Sequence, residues 1–152
     1  MHDIGISYVP QRMALIVHRR VTAETAPRVI GAALAEILTY IDSGAACGAE
    51  ECIAMFPPEF GESGEYEIRV AVVIADGAPG PGIELDELPA CQVVRTVHHG
   101  AYATTCEGWS AVEEWMDEHD LHPARDYWEV YLNTPGEVPE CELATELLVP
   151  LP

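Results

Sequence analysis

The chain reads as one α+β domain, a tandem repeat of β-α-β-β units. Three observations point there: apolar runs of strand length, two amphipathic stretches at helical spacing, and a breaker-rich loop after which the same order begins again. The first strand is expected over 12–20, where Met13-Ala14-Leu15-Ile16-Val17 runs between polar ends. From Pro27 to Ile41 the apolar residues Ile30, Leu34, Ile37 and Ile41 recur at three- and four-residue steps. That spacing predicts a helix, with Thr25 placed to cap its start and Gly44 to end it.

Residues 51–56 follow as a strand stopped by Pro57-Pro58, and 65–74 as another in which Tyr66, Ile68, Val70, Val72 and Ile74 share a face. The stretch Asp76-Gly77-Ala78-Pro79-Gly80-Pro81-Gly82 then breaks all regular structure. After it come an expected strand at 91–98, a helix at 102–119 and strands at 127–133 and 141–149. The half-repeats are accordingly about 1–76 and 83–152 of a single domain over 1–152. Val17-His18 aligns with Val97-His98 and Glu51 with Glu129, giving a pseudo-twofold pair. Two such halves would cover each other's open sheet face and leave a ligand cleft between them.

At 152 residues, with 49% hydrophobic and 22% charged residues, the chain has ordinary globular composition. Its charge is less ordinary: 7 Lys plus Arg against 26 Asp plus Glu, a formal −19 with neutral histidines. Such a surface repels phosphate backbones, so direct nucleic-acid binding is not expected. The five cysteines, Cys47, Cys52, Cys91, Cys106 and Cys141, are odd in number and show no Cys-x-x-Cys spacing. They fit reduced thiols in a cytoplasmic protein, and neither a signal peptide nor a membrane span is apparent.

The chemistry-bearing stretch is Tyr127-Trp128-Glu129-Val130-Tyr131-Leu132-Asn133. Strand alternation sends Trp128, Val130 and Leu132 to one face, expected to be the helix-packed one. It sends Tyr127, Glu129, Tyr131 and Asn133 to the other, expected to line the cleft. A carboxylate in an apolar cleft must be hydrogen-bonded, protonated or neutralised by a cation. Tyrosine hydroxyls supply the bonds, and aromatic faces attract organic cations. Along the second helix Tyr102, Trp109, Val112 and Met116 form a stripe, with Trp115 on its flank. Tyr102, Trp109 and His98 are candidates for the site, and Met55 and Phe56 for its opposite wall. Neither His98-His99 nor His119 with His122 has a third ligand at metal-binding spacing, so no metal and no cofactor are expected.

The phrases Leu88-Pro89-Ala90, His98-His99-Gly100-Ala101-Tyr102, Trp115-Met116, Trp128-Glu129-Val130-Tyr131-Leu132 and Leu148-Val149-Pro150-Leu151 together resemble the GyrI-like small-molecule-binding family. This family includes the effector domains of AraC- and MerR-type multidrug regulators. The resemblance implies a pocket in which a strand glutamate, here Glu129, meets hydrophobic and often cationic aromatic compounds. With the first expected strand near Met1, the chain resembles a stand-alone member without a helix-turn-helix domain. Some relatives imply a hydrolase of reactive electrophiles acting through Glu129 and Tyr131. Others imply a gyrase-modulating factor with a protein partner.

Overall fold

The computed structural model describes residues 2–60, 64–134 and 137–152. In chain order the elements are β1 (Gly5–Val9), β2 (Arg12–Val21), α1 (Ala26–Tyr40), β3 (Ala46–Cys47), β4 (Cys52–Phe56), β5 (Tyr66–Ile74), β6 (Asp76–Gly77), β7 (Glu84–Leu88), β8 (Cys91–His99), α2 (Thr105–Glu118), β9 (Tyr127–Tyr131) and β10 (Ala144–Pro150). The mixed content is that of an α+β protein. Two compact units make up the chain: one is Pro10–Ala90, the other Met1–Val9 with Cys91–Pro152.

In the unit Pro10–Ala90 the strands run β4-β5-β2-β7, all antiparallel, beside the small pair β3-β6. Its helix buries Ala26, Ile30, Ala33 and Ile37, which recur at helical spacing. Thr25 does not cap the helix forward as expected. Its Oγ1 instead accepts the Thr22 amide at 2.9 Å while the Thr22 hydroxyl accepts the Thr25 amide at 3.2 Å, so the two threonines close the turn between themselves. The helix gives way to a wider turn over Ile41–Ala45, where Gly44 adopts φ 96 and ends it as expected. An ion pair from Arg19 to Glu36 marks which side of β2 this helix covers.

In the other unit the order is β1-β8-β10-β9. Strands β1 and β7 were not expected from the sequence, and each pairs with a strand far from it in the chain. β1 pairs with β8, Gly5 opposite Arg95, and β7 pairs with β2, Leu85 opposite Leu15. Strand β1 thus belongs to the unit that holds β8, β9 and β10.

The paired registers also correct the alignment of the two halves. Leu15, Val17 and Arg19 alternate onto the α1 side of β2, whereas the residues of β8 under α2 are Val94, Thr96 and His98, on the other parity. Offsets of 80 and 78 therefore map residues onto opposite faces, because a slip of one residue in a period-two element exchanges its faces. Glu51, which precedes β4 and bonds Arg12 at 2.5 Å, is not the positional counterpart of Glu129.

Candidate functional site

Directly opposed residues of antiparallel strands lie on the same face. Glu129 opposes Leu147, which opposes Thr96; Tyr131 opposes Thr145, which opposes His98. Helix α2 covers this face. A Cβ on Gly108 would stand 2.7 Å from Leu147 Cδ1 and 3.4 Å from His98 Cβ, so a glycine is what lets the helix approach the strands here. Farther along, Val112 and Met116 pack with Val94, Val149 and Leu151 as a buried cluster edged by Trp109, Trp115 and Tyr127.

The assignment of faces on β9 is thereby reversed from expectation. The helix-packed side carries Tyr127, Glu129 and Tyr131, while Trp128 and Val130 are buried on the side away from α2, each 1% exposed. Leu132 lies past the end of β9 and is 50% exposed. Period two separates the faces of a strand but does not say which one a helix will cover.

Around Glu129 the geometry is specific. Trp109 Nε1, from α2, donates to Oε2 at 2.8 Å, and the Tyr131 hydroxyl donates to Oε1 at 2.9 Å. Part of Glu129 remains in contact with solvent. Its carboxylate nonetheless lies deep enough that burial, the strongest influence, raises its pKa above the ordinary carboxylate range, with the bonds from Trp109 and Tyr131 acting the other way. The Trp109 indole stacks on Tyr127 with centroids 5.1 Å apart, and Tyr102 meets Tyr131 edge-on at 5.7 Å. Tyr102 sits in the turn Tyr102–Thr104 just before α2. Its phenol is raised in pKa by burial first and then by the charges of Glu129 and Glu137.

Four aromatic residues expected at the site, Trp109, Tyr131, Tyr127 and Tyr102, are thus brought together with Glu129 within one unit. His98, 4% exposed, shares the face but is tied up: its Nε2 meets Thr104 Oγ1 at 2.9 Å and its Nδ1 meets His2 Nε2 at 3.0 Å. Burial lowers its pKa, with nearby His2 adding to the effect, so the neutral ring is favoured. His2 carried no signal in the sequence, since its partner lies at the far end of a long-range strand pairing. Met55 and Phe56 belong to the other unit, on β4, at 0% and 7% exposed, with the Phe56 ring 4.7 Å from that of Phe60. Among the described residues no group of three His, Cys, Asp or Glu is placed to hold a metal ion, and no helix is long and apolar enough to cross a membrane.

Trp109→Phe separates the hydrogen bond from the packing. Loss of the indole donor is expected to move Glu129 protonation to higher pH, readable by carboxyl-carbon NMR titration, and to cost about 1–3 kcal/mol in a denaturant melt at neutral pH.

Helix α2 thus lies over an antiparallel sheet with a desolvated carboxylate beneath it, ringed by aromatic side chains. The chain belongs to the GyrI-like small molecule binding domain family, whose model matches residues 2–152. None of the curated proteins matches it. Among solved structures it is similar to the EcmrR C-terminal domain (TM-score 0.85, 14% identity, covering 100% of this chain and 98% of that one). In the EcmrR–DNA complex, where the TM-score is 0.83 at 14% identity, the match covers 99% of this chain and 57% of that one. It is also similar to SAV2435 bound to tetraphenylphosphonium (TM-score 0.63, 9% identity, 99% and 94% covered) and to a hydrolase from Listeria innocua (TM-score 0.64, 13% identity, 98% and 91% covered).

Proposed function

We propose that the chain binds hydrophobic, often cationic aromatic small molecules at Glu129, against the walls formed by Trp109, Tyr131, Tyr102 and Tyr127. The observation that carries this reading is the carboxylate itself. It is desolvated and held by two neutral donors, and among the described residues no Lys or Arg forms an ion pair with it. A buried carboxylate in that state is disfavoured until a cation neutralises it, and an organic cation does so while keeping contact with aromatic faces. That SAV2435 was solved with tetraphenylphosphonium supports the class of ligand for the fold.

The test compares tetraphenylphosphonium with neutral triphenylphosphine oxide by quenching of tryptophan fluorescence. The cation is expected to bind at least about tenfold more tightly, as a charge-assisted contact is worth about 1.5–3 kcal/mol. Equal affinities would remove the carboxylate from recognition.

A second reading uses the same residues. A carboxylate raised in pKa beside a tyrosine hydroxyl can act as a general base, with Tyr131 polarising an electrophile, and one structural neighbour is a hydrolase. Water addition to a small epoxide or activated ester, followed by mass spectrometry, tests it. Product formed by the wild type and absent in Glu129→Ala would favour turnover, and no product with either would leave binding alone.

A further inference from the structure

Among the described residues, Thr145 is a buried polar side chain on the Glu129 face whose hydroxyl meets no partner. Thr145 is 0% exposed, and its Oγ1 has no hydrogen-bond partner among the described residues. It stands within β10, directly opposite Tyr131 on one side and His98 on the other. Its polar neighbours are engaged with other groups. The Tyr131 hydroxyl donates to Glu129, the His98 nitrogens meet His2 and Thr104, and the nearby Thr96 hydroxyl donates to the Asp3 carbonyl.

A buried hydroxyl without a partner is unfavourable, and valine has nearly the same shape without that penalty. Valine is also at least as well suited to a strand. A threonine here adds nothing to the packing of the unliganded protein. Its place says what it can do. Thr145 is two residues along β10 from Leu147, the direct partner of Glu129, so Thr145 and Glu129 are diagonal neighbours on one face, about 7–8 Å apart at the backbone and somewhat less between their Cβ atoms.

We infer that Thr145 is a second, hydrogen-bonding point of the Glu129 site, selecting cations that carry a hydroxyl or amine a few bonds from the charge. The inference rests on the binding function proposed above and narrows its ligand class. A purely hydrocarbon cation would satisfy the carboxylate and leave the hydroxyl unmet.

Two matched probes read this out: 3-hydroxypropyltriphenylphosphonium, and n-butyltriphenylphosphonium, which carries a methyl where the first carries the hydroxyl. The wild type is expected to prefer the hydroxylated cation by about fivefold to tenfold, the size of one ordinary hydrogen bond. Thr145→Val should abolish the preference, hold affinity for the butyl compound within about twofold, and melt no lower than the wild type. Thr145→Ser, which keeps the hydroxyl, should keep the preference, and it serves as the comparison if the valine variant does not fold.

A wild type that binds both probes equally, or a valine variant that weakens both alike, overturns the role of Thr145. Glu129→Gln distinguishes that failure from failure of the site itself. If it weakens both probes, the site stands without its second point. If it weakens neither, or if neither probe binds the wild type, the proposed function falls and the inference with it.

Discussion

Replacing Glu129 by Gln is expected to weaken tetraphenylphosphonium binding by about tenfold to a hundredfold and to erase the preference over the neutral phosphine oxide. The change keeps the shape of the side chain and one acceptor for the donors at Trp109 and Tyr131, but turns an amide NH2 toward the other. What is lost is the charge. A unit pair 4 Å apart is worth about 4 kcal/mol at an effective dielectric near 20, and part of that is spent on desolvating the ligand. Roughly 1.5–3 kcal/mol is left, hence the expected range. Fluorescence titration at pH 8 reads it directly, and equal affinity for both variants would show that the aromatic walls alone do the binding.

The same residue sets the pH dependence. Its folded-state pKa is raised, mainly by burial, so the carboxyl takes up a proton at higher pH than it would in the unfolded chain. Cation affinity should therefore fall as pH drops through that raised value, while Glu129→Gln shows a flat profile. Stability runs the opposite way. The contribution of Glu129 is fully present below the ordinary carboxylate range, where the group is protonated in both states. It is lost as pH rises through the raised value, where the folded protein must carry a desolvated charge. Wild-type melting temperature should then decline over that interval relative to Glu129→Gln. A bound cation should reverse the sign by stabilising the ionised form, so a thermal shift measured on either side of the transition checks both halves of the argument.

How much of this was legible in the sequence depends on the range of the interaction. Strands such as 12–21 and 66–74 announce themselves because apolar runs and period two are local signals. Gly5–Val9 and Glu84–Leu88 do not: the first is short with both Ile6 and Tyr8 exposed, and the second reads Glu-Leu-Asp-Glu-Leu. Both become strands because of partners distant in the chain, and an acidic edge strand is more readily taken for a loop. The site divides in the same way. Glu129 between Tyr127 and Tyr131 follows from alternation within β9, and the candidate residues of α2 follow from helical spacing. That Trp109 in particular reaches the carboxylate depends on the rotation and height of α2 over β10, which is fixed by contacts at Gly108. No local pattern encodes that height, and period two likewise leaves open which face of β9 the helix covers.

The contact at Gly108 should therefore be the most sensitive point of the scaffold under the site. Gly108→Ala improves helix propensity by about 1 kcal/mol, and in an exposed helix it would stabilise. Here the new methyl would lie 2.7 Å from Leu147 Cδ1 and 3.3 Å from His2 Nε2. A leucine terminus can usually move aside, but Leu147 is fully buried on β10 between β8 and β9, where shifting it presses on its packed neighbours. Overpacking of this kind costs about 1–3 kcal/mol, so the net effect should be destabilising by roughly 1–2 kcal/mol, and more for Gly108→Val. Leu147→Ala taken alone removes buried volume and should cost about 2–5 kcal/mol. In the double variant the alanine methyl at 108 occupies part of the space that Leu147 leaves, so the two losses should fall short of their sum by about 1 kcal/mol or more. Urea melts of the four proteins measure this coupling. Strict additivity would mean that α2 is not seated on Leu147, and the height of Trp109 over Glu129 would then need another cause.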